Sequence, residues 1–261
     1  MNSVEKENPK QIRDRAFRNA KEILDLRGNR LNLVVGILAC ILATVAVAMI
    51  ASAFDLAFDL PSLLGESMAV IAVSLLQAVL SFFTVYPLYL GLFRVAMNMC
   101  RGEATEFSQL FVFYGSLRML GRAWGIQLRI LWNSFPLLLV VALPYLSLFE
   151  YSDLISKLLI PILASSESLL LFAGLCTSSR IFPFAMLAVD DLGMPLSEAA
   201  KQAKAAVKGS VFSVFAFRIR LMWRFLLSLL TVGVVTLFHV LPLTLLAYNE
   251  YSTELLNSKE S

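Results

Sequence analysis

Hydrophobic positions along this chain gather into long runs, and polar positions gather into short gaps between them. Residues 1–30 are polar and of mixed charge. Within them Ile12, Ala16, Ile23, Leu24 and Leu26 recur at roughly helical spacing. That stripe predicts an amphipathic helix lying at a membrane surface. The apolar run that follows is too long for a signal peptide, and no A-x-A pattern ends it.

The first long run, Leu31 to Phe54, predicts a helix able to cross roughly 30 Å of hydrocarbon at about 1.5 Å per residue. Small residues recur four apart along it, at Gly36, Cys40, Thr44, Ala48 and Ser52. Such a ladder predicts close helix packing, within the protomer rather than in a dimer. A short acidic gap follows, with Asp55, Asp59, Pro61 and Glu66. Further spans are expected at Met68–Met97 (containing Pro87), Ile126–Phe149 and Glu167–Val189. An interfacial stretch, Phe107 to Trp124, separates the second span from the third. A short apolar piece, Leu154 to Ala164, reads as interfacial or re-entrant. Pro195 and Glu198 open a helix over about Leu196–Lys208, with Lys201, Lys204 and Lys208 on one face. The apolar stretch Gly209–Tyr251 fits a hairpin of two spans turning near Thr231-Val-Gly233. A single bent helix would make five spans rather than six.

The expected architecture is therefore all-α: a polytopic membrane bundle of about six helices with cytoplasmic amphipathic helices. Residues 1–30 form the amphipathic N-terminal segment, 31–256 one transmembrane domain, and 257–261 a polar tail.

Composition supports that class. Apolar residues make up 58% of the chain and charged residues only 16%, with mean hydropathy +0.74. A soluble domain carries about 25% charged residues, enough for a polar shell. These values exclude disorder, a disulfide scaffold and a nucleic-acid-binding domain. The flanks sharpen the picture. Residues 1–30 hold eight Lys and Arg, 55–67 none, 94–129 five, 150–167 one, and 180–224 seven. The alternation predicts a cytoplasmic N-terminus by the positive-inside rule. With six spans the C-terminus is cytoplasmic too.

Candidate chemistry is sparse. Cys40, Cys100 and Cys176 lie far apart in apolar surroundings, which suits buried thiols rather than a disulfide or a metal site. One histidine, His239, suits hydrogen-bonded packing. Asp190-Asp191 reads as a solvated turn. Gly121 and Gly125 form a weak G-x-x-x-G pattern. No phosphate loop, no G-x-S-x-G and no nucleophile–base pair is present, so neither catalysis nor a cofactor is expected.

Arginine carries the main signal. Arg180 falls about ten residues, or about 15 Å, inside the fourth span. Arg218, Arg220 and Arg224 penetrate the fifth, the last two sharing a face at i, i+4. Charge at the bilayer centre costs at least ~2.5–3.5 kcal/mol per residue, so such groups face the bundle interior, pair or snorkel. Arg180, Arg218, Arg220 and Arg224 are thus candidate ligands for an anionic group such as a lipid phosphate, in a cytoplasm-facing cavity. The expected function is non-enzymatic binding of lipid or a membrane-protein partner, as an accessory to envelope assembly or transport. A small transporter or channel with a cationic cavity is the alternative.

The order of short motifs adds a resemblance. Ile12-Arg-Asp-Arg-Ala16 and Asn29-Arg-Leu precede the first span. Leu90-Gly91-Leu-Phe-Arg94, Arg101-Gly102-Glu103 and Phe107-Ser-Gln-Leu-Phe111 follow the second. Later come Pro183-Phe-Ala-Met-Leu187, Leu196-Ser-Glu-Ala-Ala200, Lys208-Gly209, Thr231-Val-Gly233, Pro242 and Ala247-Tyr-Asn-Glu-Tyr251. In this order the chain resembles a bacterial family of multi-span membrane proteins of unknown function. That family is similar to the membrane domain of some glycerophosphodiester phosphodiesterases. The resemblance implies a six-helix bundle in the bacterial cytoplasmic membrane and implies no catalysis. The chain departs from the family pattern in an insert at about 147–168 and in Val234-Val235.

Overall fold

A computed structural model describes residues 9–26, 28–135, 177–229 and 235–260. The insert at 147–168, Cys176, the Thr231–Gly233 turn, most of the third expected span and residues 167–176 of the fourth lie outside these residues.

Among the described residues every regular element is helical. The order is α1 (Pro9–Asp25), α2 (Asn29–Phe58), the short α3 (Leu60–Leu64) and α4 (Glu66–Cys100). A 3-10 helix (Phe107–Tyr114) and α5 (Leu117–Asn133) follow. Then come α6 (Phe184–Asp190), α7 (Leu196–Val207), α8 (Val211–Leu229), a π-turn (Thr236–Val240) and α9 (Leu241–Glu260).

Among the described residues two helices are long and apolar enough to cross a membrane: α2, and α4 from Met68 onward. Many of their apolar side chains point outward rather than into a core. Leu42, Met49 and Leu75 are 67%, 68% and 62% exposed, which is costly in water and ordinary against lipid. The remaining long helices are less apolar. α5 has 17 residues, and α8 sets three arginines within 19. α9 runs on to Glu260 rather than ending at Tyr251, with Leu255 still in the first core. The boundary expected between an interfacial stretch and a third span near Ile126 is absent, because α5 passes through it unbroken.

The core has two parts, joined by α4. One face of α4 (Leu88, Leu92, Val95, Ala96 and Met99) meets α1, α2, α8 and α9. Another (Leu90 and Met97) meets α5, α6 and the alanines of α7. Feeding two cores makes α4 apolar all round. Pro87 breaks none of this. It deprives the Phe83 carbonyl, four residues back, of its helical donor. The Trp124 indole N–H reaches that carbonyl at 3.4 Å, and the Tyr114 hydroxyl donates to the Thr84 carbonyl beside it. At Gly91 the 3-10 helix approaches so closely that a Cβ would lie 1.9 Å from the Leu110 carbonyl oxygen.

The small-residue ladder of α2 is used in part. Gly36 and Cys40 are buried, Thr44 and Ala48 half-buried, and Ser52 exposed. At Gly36 a Cβ would sit 2.6 Å from Leu92 Cδ1 of α4, within the protomer as expected. The ladder then leaves the interface for a geometric reason. A strict four-residue step turns about 40° past one full revolution, so five rungs sweep roughly 160°. The buried stripe instead follows Leu33, Ile37, Cys40, Val47 and Ala51. Gly125 likewise faces Leu196 inside the protomer, 2.7 Å from a Cβ built on it, while Gly121 faces open space.

The first helix differs most from expectation. It is amphipathic, but its apolar face is spent on protein. Ala16, Phe17, Ala20 and Leu24 are buried in the first core, chiefly along α9. Only Leu26 at its end stays 60% exposed. Residues 9–25 are thus packed into the same core as the bundle.

Candidate functional site

Phe17 organises the site. It lies on the buried face of α1, with its ring centroid 5.2 Å from that of Phe217 on α8. One turn and two turns beyond Phe217's level, Arg220 and Arg224 bring their guanidinium carbons 4.5 and 4.2 Å from the Phe17 centroid. Both distances are well inside the ~6 Å reach of a cation–π contact. The two cations differ in partners. Arg220 donates to the Asp14 carboxylate, one turn before Phe17 on α1, at 2.5 Å. That bond, more than the long-range attraction, holds the Asp14 carboxyl below its ordinary pKa. No carboxylate pairs with Arg224 among the described residues. Its planar group is instead fixed by stacking, which leaves its N–H donors free to aim outward.

Arg224 opens onto a cleft of about 470 Å³ between α1, α8, the π-turn and α9. Lys21, one turn beyond Phe17, shares its wall. Leu221, Leu227, Val240 and Leu243 make an apolar floor, and His239 with the hydroxyls of Ser228 and Thr244 adds polar points. Thr244 donates to the Val240 carbonyl at 2.7 Å, and Ser228 to that of Phe225 at 2.7 Å. Thr236 of the π-turn donates to Ser228 at 2.8 Å, tying the turn to α8. A π-turn inserts one residue into a helix and is frequent at functional sites. Here it carries His239 to the cleft. Cations at the mouth and an apolar floor suit an amphiphile with an anionic head.

The four arginines singled out by depth do not share one cavity. Arg218 is turned inward, donating to the Ser178 hydroxyl and, at 3.2 Å, to the Ser178 carbonyl, with the Phe182 ring 5.5 Å below. Arg220 is paired with Asp14. Arg224 lines the cleft. Arg180 lines a different hollow, with Lys204 and Lys208. Sequence reasoning missed Phe17 and Lys21. Their spacing of four on α1 was the available signal, but it names no partner. His239, half-buried, lines the cleft wall.

Other charges hold the scaffold. Asp190 takes two bonds from Arg101, at 2.6 and 2.7 Å. Asp191 accepts from the Gly193 and Met194 amides at 2.8 and 3.1 Å, closing a turn. Arg122 donates to the carbonyls of Ala188, Asp191 and Met194, at 2.7 to 3.1 Å. It thereby caps α6 and fixes the loop into α7. The two aspartates are structural turn residues with named partners. No group of three or more His, Cys, Asp and Glu able to hold a metal is found among the described residues.

Comparison with protein-family models, with curated proteins and with solved structures finds no match for this chain.

Proposed function

We propose that this chain is a non-enzymatic integral membrane protein that holds an anionic phospholipid in the Arg224 cleft. In this reading it is a bundle of about six spans in the bacterial cytoplasmic membrane, with its N-terminus and α1 on the cytoplasmic side. The bound lipid serves an accessory role beside a membrane-protein partner in envelope assembly or transport. The alternating Lys and Arg counts support the orientation, and the family resemblance supports the number of spans and the membrane.

One observation carries the lipid reading. Arg224 is stacked on Phe17, has no carboxylate among the described residues, and stands beside Lys21 over a floor of leucines. A phosphate satisfies the two cations and an acyl chain covers the floor. No water-filled route and no acid–base pair is needed.

The test uses the full chain, extracted in mild detergent from membranes rich in phosphatidylglycerol and examined by native mass spectrometry. The expected result is retained phosphatidylglycerol on the wild type. Retention falls about tenfold in the Lys21→Ala/Arg224→Ala double variant, as expected for loss of charge-assisted hydrogen bonds. A lipid-free wild type, or equal retention by the variant, overturns the reading.

A further inference from the structure

A hollow of about 270 Å³ lies between the start of α2, the later half of α4 and the 3-10 helix. It exceeds the ~150 Å³ that admits a benzene ring to a protein core. Leu31 and Val35 of α2, Leu92 and Val95 of α4, and Phe107 and Leu110 of the 3-10 helix make most of its wall apolar. Gly36, facing Leu92, adds no side chain to fill it. Leu92, Val95 and Leu110 are buried, whereas Leu31, Val35 and Phe107 are exposed. The hollow therefore opens on the side where α2 turns its apolar residues outward.

Three polar residues join the wall: Asn32, Thr105 and Glu106. Glu106 is the one charged residue among the lining residues described. The Ser108 hydroxyl donates to its Oε2 at 3.0 Å, which leaves Oε1 for another donor. No Lys or Arg pairs with Glu106 among the described residues. Arg30, beside the wall in sequence, is held by Asp25, and Arg101 by Asp190. Charge of the other sign is present in partial form. The first N–H groups of a helix lack intrahelical acceptors, and α2 has no side-chain cap. Leu31, the third residue of α2, brings that positive end to the wall.

A carboxylate and a helix N-terminus on one wall suit a head group that carries both signs, and the apolar remainder suits a chain. We propose that this hollow seats a phospholipid with a primary ammonium head, of the phosphatidylethanolamine type. Its ammonium donates to Glu106, its phosphate faces the start of α2, and part of one acyl chain fills the hollow. Phosphatidylglycerol has no cation for Glu106, and the quaternary head of phosphatidylcholine has no N–H to donate. The inference rests on the membrane reading of α2 and α4 but shares no residue with the Arg224 cleft.

The experiment places the full chain in nanodiscs of phosphatidylethanolamine, phosphatidylcholine and phosphatidylglycerol in equal parts, with identical acyl chains. Native mass spectrometry identifies the lipids retained after release from the discs. Phosphatidylethanolamine is expected to be retained at one per chain, in preference to phosphatidylcholine. Glu106→Gln keeps a carbonyl for Ser108, removes the charge, and is expected to lower that preference about threefold, as for an ion pair at an aqueous edge. Glu103→Gln, an exposed carboxylate outside the hollow, leaves it unchanged. Val35→Trp fills the hollow from its exposed rim and is expected to expel the lipid. Glu106 and Val35 are both exposed, so these variants spare the core, and circular dichroism checks the helices. Lys21→Ala/Arg224→Ala is expected to lower phosphatidylglycerol and leave phosphatidylethanolamine in place, so the two sites fail separately. No preference over phosphatidylcholine in the wild type, or equal retention by wild type, Glu106→Gln and Val35→Trp, overturns the proposal. Oleylamine binding through Glu106 in phosphatidylcholine discs, with no retention of phosphatidylethanolamine, assigns a free amphiphilic amine and overturns the phospholipid.

Discussion

Phe17→Leu separates the platform from the packing. The ring is only 6% exposed and meets Phe217, Arg220 and Arg224. Truncation to alanine removes the ring and leaves a cavity, at about 3–5 kcal/mol, so an unfolded variant would teach nothing about the arginines. Leucine keeps an apolar side chain in the core and removes the π face. Two cation–π contacts are then lost, at 4.5 and 4.2 Å. Arg220 is 43% exposed at its side chain, which places its contact at the weak end of the range. About 0.5–1 kcal/mol each gives a loss of about 1–2 kcal/mol. For a chain of this size that lowers the thermal midpoint by about 2–8 °C, read by circular dichroism in detergent. The second readout is phosphatidylglycerol retention. Without the ring Arg224 keeps its charge but loses its fixed direction, so retention drops several-fold while the helices persist. If Phe17→Leu matches wild type in both readouts, stacking does not position Arg224 and the argument for the cleft fails.

Four further outcomes follow from named residues. Asp14 has its folded-state pKa depressed by Arg220, so its contribution is complete above the unfolded carboxyl's 3.8 and is lost as pH falls through the lower folded value. Proteolysis of residues 9–25 in the wild type is therefore flat from pH 7 to about pH 4 and rises below it, whereas Asp14→Asn is equally sensitive throughout. The effect is small because both partners are more than a third exposed. Gly91→Ala drives a methyl into the Leu110 backbone, which no rotamer change relieves, and is expected to cost about 3 kcal/mol or more and to lower the yield of folded protein. Gly121→Ala, facing open space on α5, keeps the wild-type midpoint. Arg122→Lys cannot reach three carbonyls at once with one ammonium, and faster cleavage after Asp190, Asp191 or Glu198 by a glutamyl/aspartyl protease reports the loosened loop.

Much of the helical pattern was legible in the sequence, because periodicity and length are local properties. The apolar runs over α2 and α4, the lysine face of α7 and the stripe of α1 all emerge as helices. What a stripe packs against is not local. Ala16, Phe17 and Ala20 read equally well as a face for lipid or for protein, and only the neighbouring α9 decides between them. The ladder of α2 shows the same limit in rotation. A run of small residues four apart is conspicuous in the sequence, yet the helix repeat carries its last rung, Ser52, off the interface.

The site was legible as a residue type and illegible as a partnership. Depth in an apolar run charges Arg218, Arg220 and Arg224 with the same desolvation cost, so it cannot rank them. Ranking comes from what each one meets. Ser178 engages Arg218 from 40 positions away, and Asp14 engages Arg220 from 206. Asp14 and Phe17 are themselves three residues apart, and therefore on one side of α1. A single turn of that helix thus neutralises one arginine of α8 and supplies the aromatic bed for the next. Arg224 is left fixed in place, with its charge turned toward a cleft rather than toward a carboxylate. In the proposed lipid site, selectivity accordingly rests on the α1–α8 contact, and substitutions on α1 that spare every arginine are the ones that test it.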